Sequence, residues 1–152
     1  TLPYRQTDNS APDYTQEPKK NRLIDKKDKL VILIAEDNES NYKLFESILK
    51  KDYTLIHAWD GEEAVQLFKQ YNPHLILMDI NMPKLDGYGA TEKIREISPD
   101  VPVMAITAFA YAEDEHHILN SGFNAYASKP IQADLLQKQI RNLLKKHFLF
   151  LY

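Results

Sequence analysis

Leu75-Ile76-Leu77-Met78 runs directly into Asp79-Ile80-Asn81-Met82-Pro83-Lys84-Leu85-Asp86-Gly87, and this stretch decides the fold. Consecutive apolar residues bounded by turn formers read as a strand buried on both faces. Such strands belong to parallel sheets with helices on either side. Asp79 stands where the strand ends, and Pro83 and Gly87 mark the loop beyond it. In open α/β sheets the carboxyl ends of the strands are where ligands bind. Asp79 is therefore expected to be exposed at the mouth of the sheet.

The same pattern extends in both directions. An apolar run over 30–35 predicts a first strand and ends in Glu36-Asp37. A helix over about 40–50 follows, with Leu44, Phe45, Ile48 and Leu49 at helical spacing. Residues 53–58 predict a second strand. Asp60 can cap the next helix, with Glu63 in capping-box register and Ala64, Val65, Leu67, Phe68 and Tyr71 on the apolar side. The third strand covers 74–78, and a helix over 87–97 carries Tyr88, Ile94 and Ile97. A fourth strand over 101–106 is interrupted early by Pro102 and ends at Thr107. A more polar helix spans 112–120 and stops near Gly122, a helix-stop signal. A short strand over 125–128 leads to Lys129-Pro130, and the last helix covers about 132–146. Strands and helices alternate throughout, so the chain is built from βαβ units around a parallel sheet.

Bulk properties narrow the function classes. At 152 residues, with 43% hydrophobic residues, the chain fits one domain. A net charge of -3 gives no general attraction to nucleic acid. There is no cysteine, which rules out a disulfide framework or a thiolate zinc site. The longest apolar runs fall far short of the roughly 20 residues that span a bilayer, and there is no signal peptide. A cytoplasmic monomer or weak dimer is expected. Residues 1–28, broken by Pro3, Pro12 and Pro18 and basic at their end, read as a flexible linker or tail. The domain proper is expected over 29–147, with 148–152 as an apolar C-terminal extension. Thr1 is not an initiator methionine, so the chain reads as an excised or processed piece.

Taken singly, these strand-end residues have bland explanations: an Asp is often a turn or cap, a Lys-Pro often a plain turn. Their order and joint placement are specific. An acidic pair follows strand one, Asp-x-x-Met-Pro-x-x-x-Gly follows strand three, Thr-Ala follows strand four and Lys-Pro follows strand five. Over about residues 29–146 the chain resembles the receiver domain of response regulators. The resemblance implies a flavodoxin-like (βα)5 three-layer sandwich with a five-stranded parallel sheet in the order 2-1-3-4-5. It aligns Asp79 with the phosphoacceptor, Glu36 and Asp37 with metal-binding acids, and Thr107 and Lys129 with the pair that contacts the phosphoryl group. It also implies a cis Lys129–Pro130 bond.

The chemistry agrees with that alignment. Clustered carboxylates repel one another and repel an incoming phosphoryl group. Mg²⁺, a hard cation that takes oxygen ligands, removes the conflict. Asp37 and Asp79 are expected as direct ligands, Glu36 directly or through water, and the Asn81 backbone carbonyl as the further ligand the family uses. Lys129 supplies a compact positive charge and Thr107 a hydroxyl donor. The domain would then catalyse its own aspartyl phosphorylation and dephosphorylation without being a turnover enzyme. The resemblance further implies that Thr107 and Tyr126 switch together. The output surface is then the face of the fourth helix, fifth strand and fifth helix. Asn81 and Phe109, each two residues past a site residue, tune hydrolysis, with Phe109 shielding the acyl phosphate.

The expected donor is a phosphohistidine on a histidine kinase or a histidine phosphotransfer protein. The segment before the first strand points to the C-terminal receiver of a hybrid sensor kinase, with a free-standing receiver second. A flavin-binding carrier on the same fold requires a Ser/Thr/Gly-rich phosphate loop, whereas Glu36-Asp37-Asn38-Glu39 repels phosphate. A haloacid-dehalogenase-like phosphatase requires Asp-x-Asp after the first strand, which is missing here.

Overall fold

The structure is a computed structural model that describes residues 29–108 and 112–148. Its elements are β1 (Val31–Ala35), α1 (Glu39–Leu49), β2 (Thr54–Ala58), α2 (Gly61–Tyr71), β3 (Leu75–Asp79), α3 (Gly87–Ile97), β4 (Val103–Thr107), α4 (Ala112–Asn120), β5 (Ala125–Ser128) and α5 (Ala133–His147). All strand pairs are parallel, in the order β2-β1-β3-β4-β5. This is the flavodoxin-like topology expected from the sequence.

The three central strands carry the densest apolar sequence because both of their faces are covered. Every residue of β3 and β4 is buried, whereas edge strands β2 and β5 are only partly so. Alternate residues serve opposite faces. Leu33, Ile76, Met78, Val103 and Ala105 join Ala64, Val65 and Phe68 of α2, Ala90 and Ile94 of α3, and Ile118 of α4 in one cluster. Ile32, Ile34, Leu77, Met104 and Ile106 alternate with these and are likewise buried, on the side where α1 and α5 pack together. The chain starts at the centre, steps outward to β2, then returns past β1. Right-handed crossovers therefore put α1 on one face and α2, α3 and α4 on the other.

The helix starts are set by local chemistry. Asn38, Asp60 and Asp86 cap α1, α2 and α3 by accepting hydrogen bonds from the backbone N–H groups of Asn41, Glu63 and Gly89 at 2.8–2.9 Å. The return half of the expected capping box differs: Glu63 Oε1 accepts from the Trp59 N–H at 2.6 Å, one residue before the cap.

Three details depart from the sequence reading. β4 begins at Val103, because Pro102 has no N–H to give to a ladder. Leu44, Tyr71 and Ile97 are exposed although their spacing matched an apolar face, and Leu135 of α5 is exposed as well. Leu44 lies about 100° around the helix from buried Phe45, and Tyr71 and Ile97 are the last residues of their helices, at the rim of the sheet. Asp79 is not exposed: it is the last residue of β3 and only 3% accessible.

Arg95 of α3 ties the far rim together. Its guanidinium donates to the carbonyls of Gly122, Ser98 and Val101 and to Asn124 Oδ1, at 2.6–3.2 Å. Asn124 Oδ1 also accepts from the Val103 N–H at 2.8 Å, so the starts of β4 and β5 are held in register by one side-chain fork.

Candidate functional site

The ladder does not stop at the last strand residue. Glu36 N–H donates to Ala58 O at 2.9 Å, Ile80 N–H to Ile106 O at 3.1 Å and Lys129 N–H to Thr107 O at 2.8 Å. The residues just beyond β1, β3 and β5 are thus held by the sheet itself. This is how acids and a lysine far apart in sequence meet at one end of the fold.

Glu36, Asp37 and Asp79 each offer a carboxylate oxygen, and these atoms lie within 4.8 Å of one another. Glu36 and Asp79 are buried, whereas Asp37 is exposed. Lys129 Nζ lies 3.1 Å from Asp79 Oδ2 and 3.8 Å from Glu36 Oε1. Glu36 Oε2 accepts from the Asn38 N–H at 3.1 Å, and Asp79 Oδ1 from the Asn81 N–H at 3.2 Å. Thr107 ends β4, is buried, and pairs in register with Ser128 immediately before Lys129. The Lys129–Pro130 bond is cis, as the resemblance implied.

The donor set fits a hard cation. Glu36 Oε1 is buried yet has no hydrogen-bond partner among the described residues. Burial, then the negative charge of Asp79, pushes the Glu36 carboxyl up to about 7, against the opposing pull of Lys129 and the Asn38 N–H. A buried carboxylate with one oxygen lacking a hydrogen bond, beside two other carboxylates, is the arrangement that a divalent ion with oxygen ligands relieves.

Tyr126 sits on β5, half-buried against the core cluster. The neighbouring Glu115 of α4, and then burial, pushes its phenol above the ordinary value. Phe109, expected to tune hydrolysis, lies outside the described residues, as do 1–28 and 149–152.

Sequence reasoning missed how closely other residues press on the site. Gly87 lies against β3: a Cβ there would fall 2.4 Å from Asp79 O. His57 Nε2 lies 2.8 Å from the Glu36 carbonyl, and its ring stacks on Tyr42 at 3.7 Å. Asp60 was legible as a helix cap, but the approach of Gly61 to the loop after Asp79 was not.

A parallel five-stranded sheet with three acids, a threonine and a lysine at its carboxyl edge defines an α/β phosphoryl-acceptor class of domain. The response regulator receiver domain family matches residues 32–141, and this chain belongs to that family. It is 40% identical over 130 residues to the probable transcriptional regulator ycf27 of Guillardia theta, covering 84% of this chain and 51% of the relative. The chain therefore spans about half the length of that curated relative.

Solved structures agree with this assignment. The receiver domain of sensor histidine kinase PA1611 from Pseudomonas aeruginosa PAO1, which has a magnesium ion coordinated in its active-site cleft, superposes with TM-score 0.71 and 34% identity over 76% of this chain and 98% of that one. The receiver domain of Ssk1 from Saccharomyces cerevisiae was solved together with the histidine phosphotransfer protein Ypd1. It superposes with TM-score 0.73 and 31% identity over 80% of this chain and 93% of that one. Receiver domains generally bind Mg²⁺ at an acidic cluster, and they work with histidine kinases or phosphotransfer proteins. Among the described residues no helix is long and apolar enough to cross a membrane.

Proposed function

We propose that this domain accepts a phosphoryl group from a phosphohistidine onto Asp79, with Mg²⁺ bound, and changes conformation as a result. The observation that carries the proposal is the convergence of Lys129 with the buried pair Asp79 and Glu36 and with Asp37. An Asp79 carboxylate oxygen attacks phosphorus, the phosphorus–nitrogen bond breaks, and its electron pair leaves on the donor imidazole. An acyl phosphate is left on Asp79. Lys129 neutralises charge on the phosphoryl oxygens, and the Thr107 hydroxyl donates to one of them. Glu36, Asp37, Asp79 and the Asn81 carbonyl would hold Mg²⁺, which screens the carboxylates from the incoming anion.

The donor is a histidine kinase or a histidine phosphotransfer protein, by analogy with the Ypd1–Ssk1 pair. Residues 29–147 act as the receiver unit, in the cytoplasm, as part of a hybrid sensor kinase or standing alone. Phosphorylation draws Thr107 inward, and Tyr126 leaves its place near Glu115 for an inward position. Ring resonances of Tyr126 that stay unmoved on phosphorylation would remove that part of the proposal. The main test is intact mass after incubation with Mg²⁺ and acetyl phosphate. The wild type should gain one labile phosphoryl group; Asp79→Asn, or the wild type without Mg²⁺, should gain none.

A further inference from the structure

We propose that Gly61, at the start of α2, is a positioning residue for the site, acting through the loop between β3 and α3. This rests on the phosphoryl-acceptor reading above. Gly61 is buried, and a Cβ built on it would fall 2.0 Å from Leu85 O, 2.7 Å from Leu85 C and 2.9 Å from Leu85 Cβ. The first two are backbone atoms, so a side chain at 61 forces the main chain of the loop to move.

The loop is built to transmit such a move. Gly87 N–H donates to Ile80 O at 2.8 Å and closes its base. Leu85 N–H donates to Pro83 O at 2.7 Å, closing a γ-turn around Lys84, whose φ is 68°. Pro83 fixes a further backbone angle. Lys84 Nζ also lies 3.6 Å from Oδ2 of Asp60, the cap of α2, so the loop and the helix start are joined twice. At the other end of the same loop, Asn81 N–H donates to Asp79 Oδ1 at 3.2 Å. A push on Leu85 therefore reaches both the carboxylate that is to be phosphorylated and the Asn81 carbonyl expected on the metal. The helix N-terminus serves here as a stop that sets where the acceptor loop rests.

The test compares Gly61→Ala with wild type by Mg²⁺ titration, by the rate of mass gain with acetyl phosphate, and by thermal unfolding. Bringing a 2.0 Å approach to ordinary contact displaces the loop by roughly 1 Å or more, and such a displacement can cost about 100-fold in rate. The expected result is Mg²⁺ affinity at least about tenfold weaker and phosphorylation slowed by about 10- to 100-fold. The control is Leu49→Ala, the buried last residue of α1, at the opposite end of the sheet from the site. It should lower the melting temperature but leave Mg²⁺ affinity unchanged, which separates positioning from general loss of stability. Gly61→Ala with wild-type Mg²⁺ affinity and rate overturns the inference. If Gly61→Ala does not fold, Lys84→Gly carries the test: it suits the positive φ but loosens the turn and removes the Asp60 contact. Unchanged affinity and rate in that variant overturn the inference equally. A wild type that neither binds Mg²⁺ nor gains a phosphoryl group instead defeats the underlying reading, and the parallel titration tells the two failures apart.

Discussion

Lys129 Nζ lies 3.1 Å from Asp79 Oδ2, although the two residues are 50 positions apart in sequence. The pair forms because β3 and β5 flank β4 and all three end at the same edge. It places a cation beside the atom expected to become an acyl phosphate, while Glu36 Oε1 competes for the same ammonium at 3.8 Å.

Lys129→Ala removes that cation. Loss of one preorganised charge partner in a shielded site costs about 100- to 1,000-fold in rate. The expected outcome is a fall of that order in phosphorylation by acetyl phosphate, followed by intact mass, with secondary structure retained by circular dichroism. A rate within twofold of wild type would deny Lys129 its role.

Asp79→Asn abolishes phosphoryl gain and stabilises the metal-free domain. The charge of Asp79 is the second cause of the raised Glu36 pKa, after burial. Removing it relieves like-charge repulsion at the buried edge and is expected to contribute about 1 kcal/mol, or a few degrees in melting temperature. Differential scanning calorimetry in EDTA measures this directly, and an unchanged or lower melting temperature would contradict it.

The pH dependence of stability has a definite sign. Glu36 is raised in the fold from the ordinary 4.5 to about 7. Between those values the folded state binds more protons than the unfolded chain, so the Glu36 contribution falls as pH rises through that window. Urea unfolding in EDTA at pH 5, 6 and 7 is expected to show this loss. Saturating Mg²⁺ is expected to cancel or reverse it, because the ion binds the ionised carboxylates of the native state. A profile identical with and without Mg²⁺ would argue against a cation among Glu36, Asp37 and Asp79.

Arg95→Ala severs the bonds to Gly122, Ser98, Val101 and Asn124 and leaves partly buried carbonyls without donors. The expected loss is about 3 kcal/mol. Arg95→Lys should recover less than half of it, since an ammonium cannot span the same fork. Chemical denaturation midpoints give the comparison; full recovery by lysine would show that charge alone matters there.

Phe109→Ala is expected to shorten the life of the phosphorylated form, because the resemblance makes the position two residues past Thr107 a tuning position, and a bulky apolar residue there would exclude water. Decay of the phosphorylated mass after removal of the donor reads this. An unchanged or slower decay would end the shielding idea.

Much of the candidate site was legible in the sequence because each of its residues falls where a predicted strand stops. Hydrophobic runs and turn residues are local signals, so Glu36, Asp37, Asp79, Thr107 and Lys129 could be placed at strand ends one at a time. The exposure of Asp79 was misjudged because its burial depends on its neighbours: Glu36 crowds it from the end of adjacent β1, and Lys129 reaches it from the end of β5, across β4. Leu44, Tyr71 and Ile97 were misassigned for a related reason. Helical spacing finds an apolar stripe, but where the sheet ends decides how much of the stripe is covered.

The sequence by itself determined the alternation of strands and helices, the parallel sheet, the Asp60 cap and the chemical identity of the acids and the lysine. Those follow from periodicity, backbone preferences and side-chain chemistry, which act over a few residues. Only the tertiary structure decided the distances: Lys129 against Asp79, Gly61 under Leu85, and Arg95 across Gly122 and Asn124. Each of these joins segments brought together by strand register and helix packing. Register and packing are properties of the whole folded chain, set by how many side chains fill the space together, and no local stretch encodes them.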